Sequence, residues 1–131
     1  MNNLSNQNLI SEKERELHNL AKQIYDNCRA LANYEKGQEI IDEKIDLLKY
    51  GLQKEIVEER CEETGKLKHS NDLARKSELT MREQEHHPLK MLKADRLNHI
   101  ETAKQLQALI EFQRRQFNIG EKMLTFLANQ I

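Results

Sequence analysis

The sequence predicts an all-α fold, a long antiparallel helical hairpin of coiled-coil type with a short intervening helix, and three observations carry that reading. Apolar residues recur every 3.5 positions through most of the chain, which is the spacing of a coiled-coil seam. The composition suits exposed helices: of 131 residues 33% are charged, 37% hydrophobic and 5% aromatic, with one proline, four glycines and no tryptophan, too little apolar material for a thick globular core. The halves are also oppositely charged. Residues 1–65 hold 9 Lys/Arg against 14 Asp/Glu and residues 66–131 hold 12 against 8, so antiparallel partners attract, although surface ion pairs contribute only ~0.5 kcal/mol apiece.

Residues 1–10 read as a tail or helix extension, because Ser11 and Glu14 have the spacing of a capping box and set the expected start of a long helix over 11–64. Within it, seven-residue steps visit Ile10, Leu17, Ile24, Leu31, Gln38, Ile45 and Leu52, with Lys13, Leu20, Asn27, Tyr34, Ile41, Leu48 and Glu55 three residues on. Asn27 and Gln38 suit buried amides that fix register at some cost in stability. Gly37 and Gly51 weaken the helix by about 1 kcal/mol each without ending it. Gly65, followed by Lys66 and Lys68, is the expected stop.

A corner over 65–72 follows, in which Ser70, Asn71 and Asp72 are all good N-cap residues. A short helix is expected over 73–87 and ends there because Pro88 disfavours helical backbone at His87. The second long helix spans 88–131. Its seam runs through Leu89, Arg96, Ala103, Ile110, Phe117, Leu124 and Ile131, with Leu92, His99, Leu106, Gln113, Gly120 and Leu127 as companions. Ile100, Leu109, Phe112, Met123 and Phe126 fall outside that seam. This surplus calls for a second contact surface, most simply a homodimer in which two hairpins form a four-helix bundle. One domain is expected in all.

Such a chain works by binding. The seam and oligomer positions expected to carry interaction are Ile24, Leu31, Ile41, Leu48, Leu106, Ile110, Phe117 and Leu124, in a non-enzymatic adaptor, inhibitor or assembly factor with a protein partner. No catalytic residue and no cofactor are expected: the phosphate-binding, serine-hydrolase and zinc-protease motifs are all missing from the sequence. No metal site is expected either. His86 and His87 are adjacent and point about 100° apart on a helix, and Cys61 with His69 falls short of the three or four ligands that zinc needs. With only Cys28 and Cys61, no leader-like segment and no apolar run of membrane-spanning length, a cytoplasmic protein without membrane contact is expected.

The alternative partner is nucleic acid. Lys66, Lys68, Arg75, Lys76 and Arg82 cluster around the corner, and phosphate contact requires only positive charge within reach. Acidic neighbours are interleaved and no aromatic side chain is there to stack on bases. The run from "SNDLARKSEL" through the proline-interrupted short helix to "EFQRRQF", about residues 66–117, resembles small coiled-coil accessory proteins that phages and mobile elements carry near recombination genes. That resemblance implies an accessory role in DNA metabolism, like that of helical phage nuclease inhibitors, and transfers no catalytic residue.

Overall fold

The computed structural model describes residues 3–130, so the seam position Ile131 and the first two residues of the expected tail lie outside the described residues. The chain is all-α: α1 spans Asn3–Glu58, α2 Asp72–Glu85 and α3 His87–Ala128, with α1 and α3 antiparallel. Its contacts fall into two compact units rather than one, Met1–Glu35 with Glu101–Ile131 (the terminal unit) and Lys36–Ile100 (the corner unit). Each unit takes its own stretch of α1 and of α3.

In the terminal unit, Leu17, Ala103 and Ile110 are buried, and Ile24, Leu31, Leu106, Phe117 and Leu124 are half-buried beside them. These are the heptad positions of both helices, so the 3.5-residue period becomes the face along which α1 meets α3. Helix α1 begins eight residues before the expected Ser11 cap. Asn6, one heptad ahead of Lys13, is already in the seam and only 7% exposed. Packing of that upstream heptad outweighs a favourable local cap.

The corner unit has the thicker core. Ile41, Ile45, Leu52 and Leu89 form its buried cluster, and Leu48, Leu79 and Leu92 pack against it. Ile56 and Leu89 are its most completely enclosed side chains. Here α1 ends at Glu58, six residues short of the expected stop. The cause is a small antiparallel pairing beyond it: the Lys68 N–H donates to the Glu59 carbonyl at 2.9 Å, the Cys61 N–H to the Lys66 carbonyl at 2.8 Å, and Arg60 bridges Leu67. The Gly65 N–H closes one intervening turn onto the Cys61 carbonyl, with φ at +65°, a conformation open to glycine at little cost. The glycine signal is thus real but closes this turn, not α1.

Helix α2 starts where the cap triplet placed it, within one residue. Asn71 has extended backbone and its side chain accepts from the Ala74 N–H at 2.7 Å. It stops at Glu85, two residues early, and α3 begins at His87, one residue before its expected start. Between them His86 serves α3 as a cap: its Nδ1 accepts the Leu89 N–H at 3.2 Å and its carbonyl takes the Lys90 N–H at 3.1 Å. Pro88 lies in the first turn of α3, where its missing donor costs nothing.

Candidate interaction surface

Across the seam of the terminal unit lies a polar layer. Asn27 Nδ2 donates to Gln113 Oε1 at 2.9 Å, and Gln113 Nε2 donates to Gln23 Oε1 at 3.3 Å. Gln113 is 7% exposed, so its amide is satisfied from within on both atoms. The register role expected of Asn27 is filled by a cross-helix amide pair, whereas Gln38 has only a half-buried position. Buried amides of this kind favour one alignment of two helices, because any slip leaves them unpaired.

Beside that seam, α3 carries a second apolar stripe that the described residues leave largely exposed. Leu109, Phe112, Ile119, Met123 and Phe126 are 43%, 56%, 58%, 48% and 64% exposed. With Gln116 they occupy six consecutive positions at steps of three and four, so the stripe has the coiled-coil period in its own right. Of the surplus positions noted in the sequence, Leu109, Phe112, Met123 and Phe126 belong to it, and Ile100 does not, being half-buried in the corner unit. Ile119 and Gln116 were missed, although a 3.5-residue count from Leu109 would have found both. Toward α1 the stripe grades into a groove lined by Lys13, Glu16, Leu20 and Gln23 opposite Gln116 and Met123. Its other border carries Arg115 and Lys122, one helical turn from Phe112 and Ile119.

The corner unit has a weaker counterpart. Ile40, Leu47, Tyr50 and Val57 of α1 are exposed at heptad spacing, but Glu43 and Lys54 interrupt them. A charge buried without a partner is far more costly than a buried amide, so this stripe is poorer as a docking face.

The expected phosphate-contact residues are brought together, but largely onto one another's counterions. Glu59 accepts from Arg82 and, at 3.0 Å, from Lys68 Nζ, and Arg82 also donates to Glu78 at 2.8 Å. The Arg82 hydrogen bond first and the Lys68 one second hold the Glu59 carboxyl down to about 2, while Glu59 in turn raises both cations above their ordinary range. Arg75 donates to the His69 carbonyl at 3.0 Å and stands 3.7 Å from Asp72. Lys66 and Lys76 alone of the five have no ion pair among the described residues. Such internal pairing was not legible in the sequence, because Glu59 and Arg82 meet only once the corner has folded.

His69 Nε2 is buried without a hydrogen-bond partner among the described residues and stops 4.0 Å from Glu59. Backbone N–H groups of Glu63 and then Thr64, with the Thr64 hydroxyl, lower the Cys61 thiol below its ordinary range. Among the described residues no three His, Cys, Asp or Glu converge as metal ligands, both cysteines are unlinked, and no helix is long and apolar enough to cross a membrane. No family model, curated protein or solved structure matches this chain. The likeness to phage-borne coiled-coil proteins therefore rests on the sequence pattern alone.

Proposed function

We propose that the protein is a non-enzymatic interaction module of the adaptor, inhibitor or assembly-factor type, and that it binds through the outer stripe of α3. One observation carries this reading: five large apolar side chains keep the coiled-coil period over Leu109–Phe126 while remaining 43–64% exposed. At roughly 150–250 Å² for each large side chain, their exposed part is on the order of 500 Å², comparable to the largest patch on a typical monomer. Amphipathic helices recognise such faces by setting anchors at i, i+3 and i+7 into them. The seam residues Ile24, Leu31, Ile110, Phe117 and Leu124 then act indirectly, by holding α3 against α1 so that the stripe is presented on a rigid support. The pairing of Arg82, Lys68 and Arg75 within the corner favours protein over nucleic acid as the partner, since phosphate contact needs cations free to release counterions.

A photo-crosslinking phenylalanine derivative at Ile119, installed in the producing cell, tests the reading. The expected result is a discrete cross-linked species, identified by mass spectrometry, that is absent when the probe replaces Glu111 one step off the stripe. Introducing Phe112→Asp beside the probe should abolish it. Equal or absent cross-linking at the two positions would end the proposal.

A further inference from the structure

We infer that the occupant of the α3 stripe is a second copy of this chain, lying antiparallel to the first, with Gln116 at the two-fold axis; the inference rests on the docking role proposed above. Gln116 is the single polar residue within the stripe, flanked at seven residues by Leu109 and Met123 and more closely by Phe112 and Ile119. Reversing α3 about Gln116 therefore brings Leu109 opposite Met123 of the second copy and Phe112 near Ile119, apolar against apolar, while Phe126 falls at the outer end beside residues 105 and 106. The amide at the centre is both donor and acceptor, so two copies satisfy each other, whereas a wholly apolar partner stripe strands it. An isologous contact of this kind closes on itself and stops at two chains.

The area is sufficient. About 500 Å² of apolar surface per copy gives about 1,000 Å² from the five side chains alone, the level at which specific interfaces begin, and polar rims add to it. The rims also give the dimer a signature. Arg115 and Lys122 border the stripe, and in this pairing Arg115 approaches Arg115 of the second copy, with Lys122 five residues, about 7.5 Å, further along the axis. Added salt screens that repulsion, so self-association should tighten as salt rises, while docking of an acidic helix against the same cations would weaken.

Cross-linking between cysteines tests orientation and register in the full chain. In a Cys28→Ser/Cys61→Ser background, Leu109→Cys and Met123→Cys chains are made separately, checked for unchanged helix content by circular dichroism, and oxidised alone and mixed. The expected result is a disulfide dimer in the mixture and little in either chain alone, together with a light-scattering mass of twice 15.5 kDa that persists at high salt. Dimers from each chain alone would mean parallel pairing and overturn the inference. A single-chain mass with no cross-link would overturn it too, yet would leave docking of a different protein to be decided by the Ile119 probe. In a Gln116→Leu version, same-position links should appear beside the mixed one; an unchanged pattern would overturn the role given to Gln116.

Discussion

Gly120 lies so close to Leu17 that a Cβ built on it would come within 2.5 Å of Leu17 Cδ2 and 3.4 Å of Cγ. Both residues are buried in the seam of the terminal unit, so a methyl group at position 120 must displace a packed leucine. At Gly51, also inside a helix, a Cβ would meet nothing within 4 Å. The two glycines differ in purpose, and substitution separates them. Gly51→Ala should stabilise the chain by about 1 kcal/mol through helix propensity. Gly120→Ala gains the same propensity but incurs an overpacking cost of about 1–3 kcal/mol, for a net loss near 1 kcal/mol. Urea unfolding of the two variants beside the parent measures both signs, and a stabilising Gly120→Ala would show that Leu17 has room to move.

The amide layer makes a different prediction. Gln113→Leu strands Asn27 Nδ2 in the seam and should cost about 1–3 kcal/mol. Adding Asn27→Leu replaces both partners with apolar groups and should recover most of that loss, leaving Gln23, which is exposed, to water. What the double variant loses is specificity of alignment. Its mass distribution should broaden although its stability comes back close to the parent's. A double variant no more stable than Gln113→Leu alone would mean that the amides do not act as a pair.

What the sequence made legible follows from how local each feature is. The seam could be read because burial repeats every 3.5 residues, and Ile41, Ile45 and Leu52 of α1 and Leu89, Ala103 and Ile110 of α3 are buried where that period puts them. Asn71 could be read as the α2 cap because capping acts over three residues. The end of α1 could not. It depends on Glu59 and Cys61 pairing with Lys68 and Lys66 across a turn, so the tempting stop at Gly65 marked the turn and not the helix. The Glu59–Arg82 pair, 23 residues apart in the chain, left no trace in any local pattern. The stripe on α3 was half legible: its surplus residues stood out, but its own 3.5-residue count, which takes in Ile119 and passes over Ile100, went unread.

His86 carries the next prediction. Its Nδ1 accepts the Leu89 N–H in the first turn of α3, the role usually filled by Ser, Thr, Asp or Asn. Leu89 is itself the most enclosed residue of the corner core, so this cap fixes the position of a core side chain as well as a helix end. His86→Ala should cost about 1 kcal/mol, and His86→Asn should restore most of it. His87→Ala, exposed one residue later, should stay within about 0.5 kcal/mol of the parent. Equal losses from the two alanine variants in thermal unfolding would remove His86 from its capping role.

Acid should open the corner through Glu59. Its carboxyl is held down to about 2, below the value of about 4.3 for an unfolded glutamate. A group whose folded value is depressed binds protons more readily when unfolded. Its stabilising contribution is therefore complete above about pH 4.5 and is lost as pH falls toward about 2. The side chain is about 30% exposed, so water and salt moderate the effect. Glu59→Gln, which stays polar but cannot charge, should be less stable than the parent near neutrality and converge with it in acid. Hydrogen exchange of the Lys68 amide, which donates to the Glu59 carbonyl, reads the same event locally. Its protection should fall with acid in the parent and be low throughout in Glu59→Gln. Parallel stability curves for the two proteins across that range would mean that the Arg82 and Lys68 pairs contribute nothing, leaving the backbone pairing to hold the corner alone.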